Sequence, residues 1–122
     1  MKYMMLIYMD EQALGEAERQ KCYMESAQYA QSLDAKGQYL GAAPLHPTVT
    51  ATSVRTREGK SLITDGPFAE TREQLGGFFL VEAKDLDEAI SIASQIPAGK
   101  FGTVEIRPVI EVPALPQSRM AS

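Results

Sequence analysis

The chain has 122 residues, 12 basic and 16 acidic, and a formal net charge of −4. That length fits one domain burying roughly two thirds of the surface its unfolded chain exposes, with no room for a second lobe. A negative balance without any basic cluster argues against direct nucleic-acid binding, and no apolar run approaches the roughly 20 residues that span a bilayer.

Lys2 to Met9 reads as a strand with Tyr3, Met5 and Ile7 on one side and Met4, Leu6 and Tyr8 on the other, so both faces want cover. From Glu16 to Lys36, Tyr23, Ala27, Ala30 and Leu33 recur at spacings of four and three, which predicts an amphipathic helix. Gly37 stands where a left-handed C-cap ends such a helix. Tyr39 to Ala43 is a short strand, and Pro44 and Pro47 bracket Leu45 and His46 in an irregular connection. Thr50 to Arg57, a turn at Glu58-Gly59-Lys60 and Ser61 to Thr64 make a β-hairpin.

The hairpin delivers the chain to Asp65, where DGPFAETREQLGGFFLV runs to Val81. Asp65-Gly66-Pro67 is turn chemistry, and a charged run with Glu70, Arg72 and Glu73 follows. Gly76 and Gly77 then open a strand to Ala83, where paired glycines suggest close approach by another backbone or by a ligand. In that strand Phe78 and Leu80 face one way and Phe79 and Val81 the other, again with no polar side. Asp85 to Glu88 resembles a capping box ahead of a helix whose apolar stripe is Leu86, Ala89, Ile90, Ala93 and Ile96. Pro97 stops it. Thr103 to Val109 alternates Val104 and Ile106 against Thr103, Glu105 and Arg107, a strand buried on one face. Residues 1–110 are thus expected to form a single domain, with a proline-containing tail at 111–122.

Strand, helix, strand, hairpin, strand, helix, strand is the order of an α+β ferredoxin-like sandwich with an inserted β-hairpin, both helices lying on one face of an antiparallel sheet. A single chain of that kind covers one set of the two-sided apolar residues. The second set, at about 1.5–3 kcal/mol per side chain, predicts a homodimer related by a two-fold axis.

Among groups able to carry chemistry, Asp65 stands first: either a turn cap bonding the Phe68 or Ala69 amide, or a general acid or base with Glu70 as partner. His46 is the only histidine, the residue type that changes charge near neutrality. Arg55 or Arg107 would anchor an anionic substrate, with Gly76 and Gly77 admitting it closely. Cys22, without a second thiol, reads as a small buried hydrophobe and suits a reducing compartment. No histidine or cysteine spacing supports a metal site, and the glycine pair precedes a strand rather than a helix, unlike a nucleotide loop. No cofactor is expected. No leader with a cleavage site precedes the first strand, so the chain is expected to be soluble and cytoplasmic.

The start MKYMMLIYMDE, the TATSVRTREGK hairpin and DGPFAETREQLGGF, in that order and spacing, resemble the YCII-related family of small bacterial proteins, in its DGPF subgroup, from Met1 to about Val109. The resemblance implies a dimeric α/β-barrel built by two sheets facing each other, in a superfamily that includes small isomerases, lyases and monooxygenases. Two functions follow as expectations. One is a cofactor-free dimeric enzyme doing acid–base chemistry on a small anionic organic molecule, with Asp65, Glu70 and His46 at its centre. The other is a ligand-binding or regulatory module partnered with a sigma factor in transcription initiation, since relatives of this kind occur beside alternative sigma factors.

Overall fold

The structure, a computed structural model, describes residues 1–117, so the end of the tail expected at 111–122 lies outside the described residues. Eight regular elements follow one another: β1 (Lys2–Met9), α1 (Glu16–Ala35), β2 (Tyr39–Pro44), β3 (Thr52–Arg57), β4 (Lys60–Asp65), β5 (Gln74–Glu82), α2 (Leu86–Ser94) and β6 (Gly102–Pro108). Strands β2, β5, β1 and β6 lie in that spatial order in one antiparallel sheet, while β3 and β4 form a separate two-stranded hairpin. This is the ferredoxin-like sandwich with an inserted hairpin that the order of elements predicts.

The parity of β1 and β5 sets the layers. Tyr3, Met5 and Ile7 of β1 and Phe79 and Val81 of β5 are buried under the two helices, with Cys22 and Leu33 of α1 and Ala89, Ile92 and Ala93 of α2. The Phe79 ring meets the Tyr29 ring at 6.1 Å between centroids, and the Tyr29 hydroxyl donates to the Ile92 carbonyl at 2.7 Å, tying α1 to α2 across the core. The opposite parity, Met4, Leu6, Tyr8, Phe78 and Leu80, forms the outer face and is half-buried.

Local chemistry explains the element ends. Glu18 reaches back to accept the Gly15 N–H at 3.3 Å, the helix side of a capping box at the start of α1. At its other end the Gln38 N–H bonds the Leu33 carbonyl and the chain leaves through Gly37 at φ 73°, the left-handed exit that glycine accommodates. Asp85 caps α2 by accepting the Glu88 N–H at 2.9 Å, but Glu88 returns to the Lys84 N–H instead of to Asp85 itself.

Four sequence expectations shift. Leu86 and Ile90 of the stripe expected on α2 are exposed, and Ile92 is buried with Ala89 and Ala93 in their place. Ala27 is exposed, because the buried side of α1 is centred on Cys22, Tyr29, Ala30 and Leu33. Thr48–Thr50 winds into a 3-10 turn, so β3 starts at Thr52. Strand β5 begins at Gln74, three residues before Gly77. Ile7 pairs with Gly77 and Tyr8 with Leu75, which makes Gly76 the extra residue of a β-bulge.

At Gly77 the neighbour is backbone. A Cβ there would lie 2.8 Å from the Ala43 carbonyl oxygen and 3.2 Å from Pro44 Cα. The Gly77→Ala variant is therefore expected to lose about 1–3 kcal/mol by overpacking. Urea unfolding measures it, and a midpoint equal to that of the parent chain would mean that β2 moves aside freely.

Candidate functional site

Two cavities flank the place where β2 ends and β5 begins, one on each face of the sheet. The Leu45 N–H donates to the Gly76 carbonyl at 2.9 Å and closes the backbone between them. On the helix side, about 300 Å³ is walled by small residues, Ala27, Ala30, Ala42, Gly76 and Gly77 among them, and by Phe79. This is where the glycine pair sits. The cavity is apolar, and its titratable groups are Tyr23, Tyr39 and Cys22, whose thiol is pushed up by burial.

On the outer-face side lies a larger hollow of about 700 Å³, lined by His46, Tyr8, Thr48, Thr71, Gln74 and by Phe68 of the DGPF turn. An exposed imidazole, a phenol, three threonine hydroxyls and an amide share its largely apolar lining, the composition of a small-molecule site. The helix-side cavity has two phenols, the Ser26 hydroxyl and a buried thiol but neither an imidazole nor an amide. The outer hollow is therefore the candidate site.

Its walls are loops, and two polar side chains hold them. Glu11, just past β1, accepts the Thr48 N–H and the Thr48 hydroxyl on its two carboxylate oxygens, each at 2.8 Å. The Glu11 N–H in turn donates to Gln74 Oε1 at 3.0 Å, and Gln74 Nε2 donates to the Thr71 and Arg72 carbonyls. One residue thus anchors the His46 wall and, through Gln74, the wall contributed by the charged run. On the sheet side, the Tyr8 hydroxyl donates to Glu105 at 3.3 Å, and Glu105 pairs with Arg107 at 3.7 Å. Burial raises the Tyr8 phenol above its ordinary value and the Glu105 carboxylate adds to it, so the phenol stays a protonated donor at neutral pH.

The residues singled out from the sequence separate. His46 lines the hollow, and Arg107 is joined to it through Glu105 and Tyr8. Asp65 ends β4 opposite Thr52, exposed and lining neither cavity. The turn bond expected from Asp65 to the Phe68 or Ala69 amide does not form: the Gly66 N–H bonds the Ala51 carbonyl at 2.7 Å and the Ser53 hydroxyl donates to the Gly66 carbonyl at 2.8 Å. The turn closes through backbone and needs no carboxylate. Glu70 is exposed between Ala69 and Thr71, which line the hollow, and Arg55 is exposed on β3. Asp65, Glu70 and Arg55 therefore do not converge with His46 within one chain.

Sequence reading missed Tyr8, Glu11 and Gln74. Tyr8 had a signal, as the one hydroxyl-bearing side chain on the outer parity of β1. Glu11 and Gln74 had none, because their partners lie 37 and 63 residues away. Among the described residues no cluster of His, Cys, Asp and Glu is arranged to hold a metal ion, and no helix is long and apolar enough to cross a membrane.

Removing the Gln74 amide strips partners from the Glu11 N–H and the Thr71 carbonyl. The Gln74→Ala variant is expected to lose about 1–3 kcal/mol and to speed hydrogen exchange over residues 68–73 while leaving β1 protected. Equal speeding in β1 would mean that Gln74 supports the whole sheet rather than the loop.

Comparison with known proteins agrees with this architecture. An uncharacterised protein of Rhizobium meliloti is 33% identical over 114 residues, covering 89% of this chain and 92% of that protein. The solved structure of 5-chloro-2-hydroxyhydroquinone dehydrochlorinase from Burkholderia phenoliruptrix, in complex with 2,5-dihydroxybenzoquinone, superposes with a TM-score of 0.55 at 17% identity, over 92% of this chain and 96% of that one. At that identity the likeness is one of fold. The sequence model of the YCII-related domain matches residues 1–113, and with a relative one third identical along nearly its whole length the chain belongs to the YCII-related domain family.

Proposed function

We propose that this chain is an enzyme that performs acid–base chemistry on a small anionic organic molecule in the His46 hollow, working as a homodimer in the cytoplasm. The observation that carries the reading is the hollow itself: about 700 Å³ with mostly apolar walls, lined by one imidazole and by a phenol that is itself tied to an ion pair. His46 takes a proton from the bound molecule and returns it at another carbon in an isomerisation, or passes it to the departing group in an elimination. The Tyr8 O–H turns from Glu105 to the bound molecule, leaving Glu105 to its pair with Arg107, and the ring of the molecule lies against the Phe68 side of the hollow. Asp65 and Glu70 act here as charges outside the lining, and the proton-transfer role passes from Asp65 to His46.

The structural neighbour was solved with 2,5-dihydroxybenzoquinone, and that flat, acidic ring is a suitable probe. Calorimetric titration is expected to detect its binding to the parent chain and at least tenfold weaker binding to His46→Ala. Equal affinity in the two proteins would remove His46 from the site.

The dimer rests on the outer face. Met4, Leu6, Phe78 and Leu80 lie there together at the centre of the sheet, and covering the part of each half-buried side chain that is still exposed favours association by about 1 kcal/mol. A second copy supplies the same face in return. In sedimentation the parent chain is expected to run as a dimer at micromolar concentration, and Leu6→Glu to shift toward monomer. A parent chain that sediments as a monomer sinks the dimer but not the hollow.

A further inference from the structure

The β3–β4 hairpin stands apart from the sandwich. Its strands pair with each other, and every residue in them except Ser53 is exposed. At about 3.3 Å per residue its six-residue strands carry the Glu58-Gly59 tip roughly 20 Å from the root. The root is fixed: the Gly66-to-Ala51 and Ser53-to-Gly66 hydrogen bonds lock the place where the hairpin leaves the rim of the hollow.

The two faces of the arm differ. Cross-strand partners share a face, so Val54 and Ile63 lie together, while Arg55 opposite Leu62 and Arg57 opposite Lys60 lie on the other side. Val54 is 64% and Ile63 71% exposed, an apolar pair with nothing over it among the described residues. A two-stranded hairpin left bare in this way is marginally stable in water. The hollow has the matching deficit. Phe68, part of its lining, is 83% exposed, and Leu45 and Leu75 beside it are exposed as well.

We propose that the hairpin is a reciprocal arm: in the dimer each copy lays its Val54–Ile63 face over the mouth of the other copy's His46 hollow, so that the site is walled by two chains. This rests on the dimeric reading above. A two-fold axis makes the exchange mutual, so one bare arm and one bare mouth per chain satisfy each other with none left over. The mouth is continuous with the proposed sheet interface, since Tyr8 and Leu75 are paired at the end of the outer face. With the Val54–Ile63 face down, Arg55, Arg57 and Lys60 stay in water, and the one charged residue on the covered face is Asp65 at the root of the arm.

The test is complementation. Two differently tagged chains, one carrying His46→Ala and the other Ile63→Glu, are co-expressed, and hybrid dimers are purified through both tags and titrated with 2,5-dihydroxybenzoquinone. Each variant homodimer is expected to bind at least tenfold more weakly than the parent. If the arm acts across the dimer, each hybrid has one site with both defects and one with neither, and about half of the parent capacity returns at parent affinity. No recovery in a purified hybrid overturns the arm and leaves the dimer standing, as does parent-like binding by the Ile63→Glu homodimer, with Val54→Glu as the check that the face was altered. A monomeric parent overturns the dimer and the arm together. Parent-like binding by the His46→Ala homodimer overturns the functional reading, and the arm with it.

Discussion

Two neighbouring strands that are apolar on both faces constrain everything else in this fold. Strands β1 and β5 pair at the centre of the sheet, with Tyr3 opposite Val81 and Met5 opposite Phe79 under the helices, and Met4 opposite Leu80 and Leu6 opposite Phe78 on the outside. Residues opposed across antiparallel strands share a face, so the pairing sorts the apolar side chains into two layers at once. A slip of one residue would exchange the layers. The helices can serve only one of them, which leaves the outer layer as the surface to which a second chain, and the chemistry proposed here, would be bound.

The outer layer alone does not make a site. It becomes one at its end, where the bulge at Gly76 changes the stagger of β5 and brings Leu75 opposite Tyr8. There the loops after β2 and β4 rise on either side, and a carboxylate and an amide pin them in place of a core. Charge-assisted hydrogen bonds are the stronger kind, and Glu11 spends both carboxylate oxygens on Thr48 while its own N–H reaches Gln74. The walls of the hollow are therefore tied to the end of β1 and to each other, and His46 is carried on a segment held close to the sheet.

The inserted hairpin has the opposite character. It is held at its root and bare along its length, with Val54 and Ile63 on one face and Arg55, Arg57 and Lys60 on the other. In the proposed assembly that bareness has a use, because an arm left bare by the described residues of its own chain is free to cover something in another. The same economy explains why Asp65, which ends the arm, sits away from the hollow that Pro67 and Phe68 help to line: it belongs to the arm's ladder and they belong to the loop.

Most of the fold was legible in the residues. Period-two alternation in β1 and β5, the helical spacing closed by Gly37, the Asp85 cap and the hairpin turn are each written within a few neighbouring positions, and local sterics and hydrogen bonding act at that range. The site was legible in part. His46 and the DGPF turn were marked by residue type, but the expected partnership of Asp65 and Glu70 with them was not realised within the chain, because adjacency along a strand end does not tell which way a strand's ladder points. Which groups face one hollow depended on Glu11 finding Thr48 and on Gln74 finding Glu11 across 37 and 63 residues. Contacts of that span leave no trace in local spacing. They exist only once the sheet has set its register and brought distant loops to the same end.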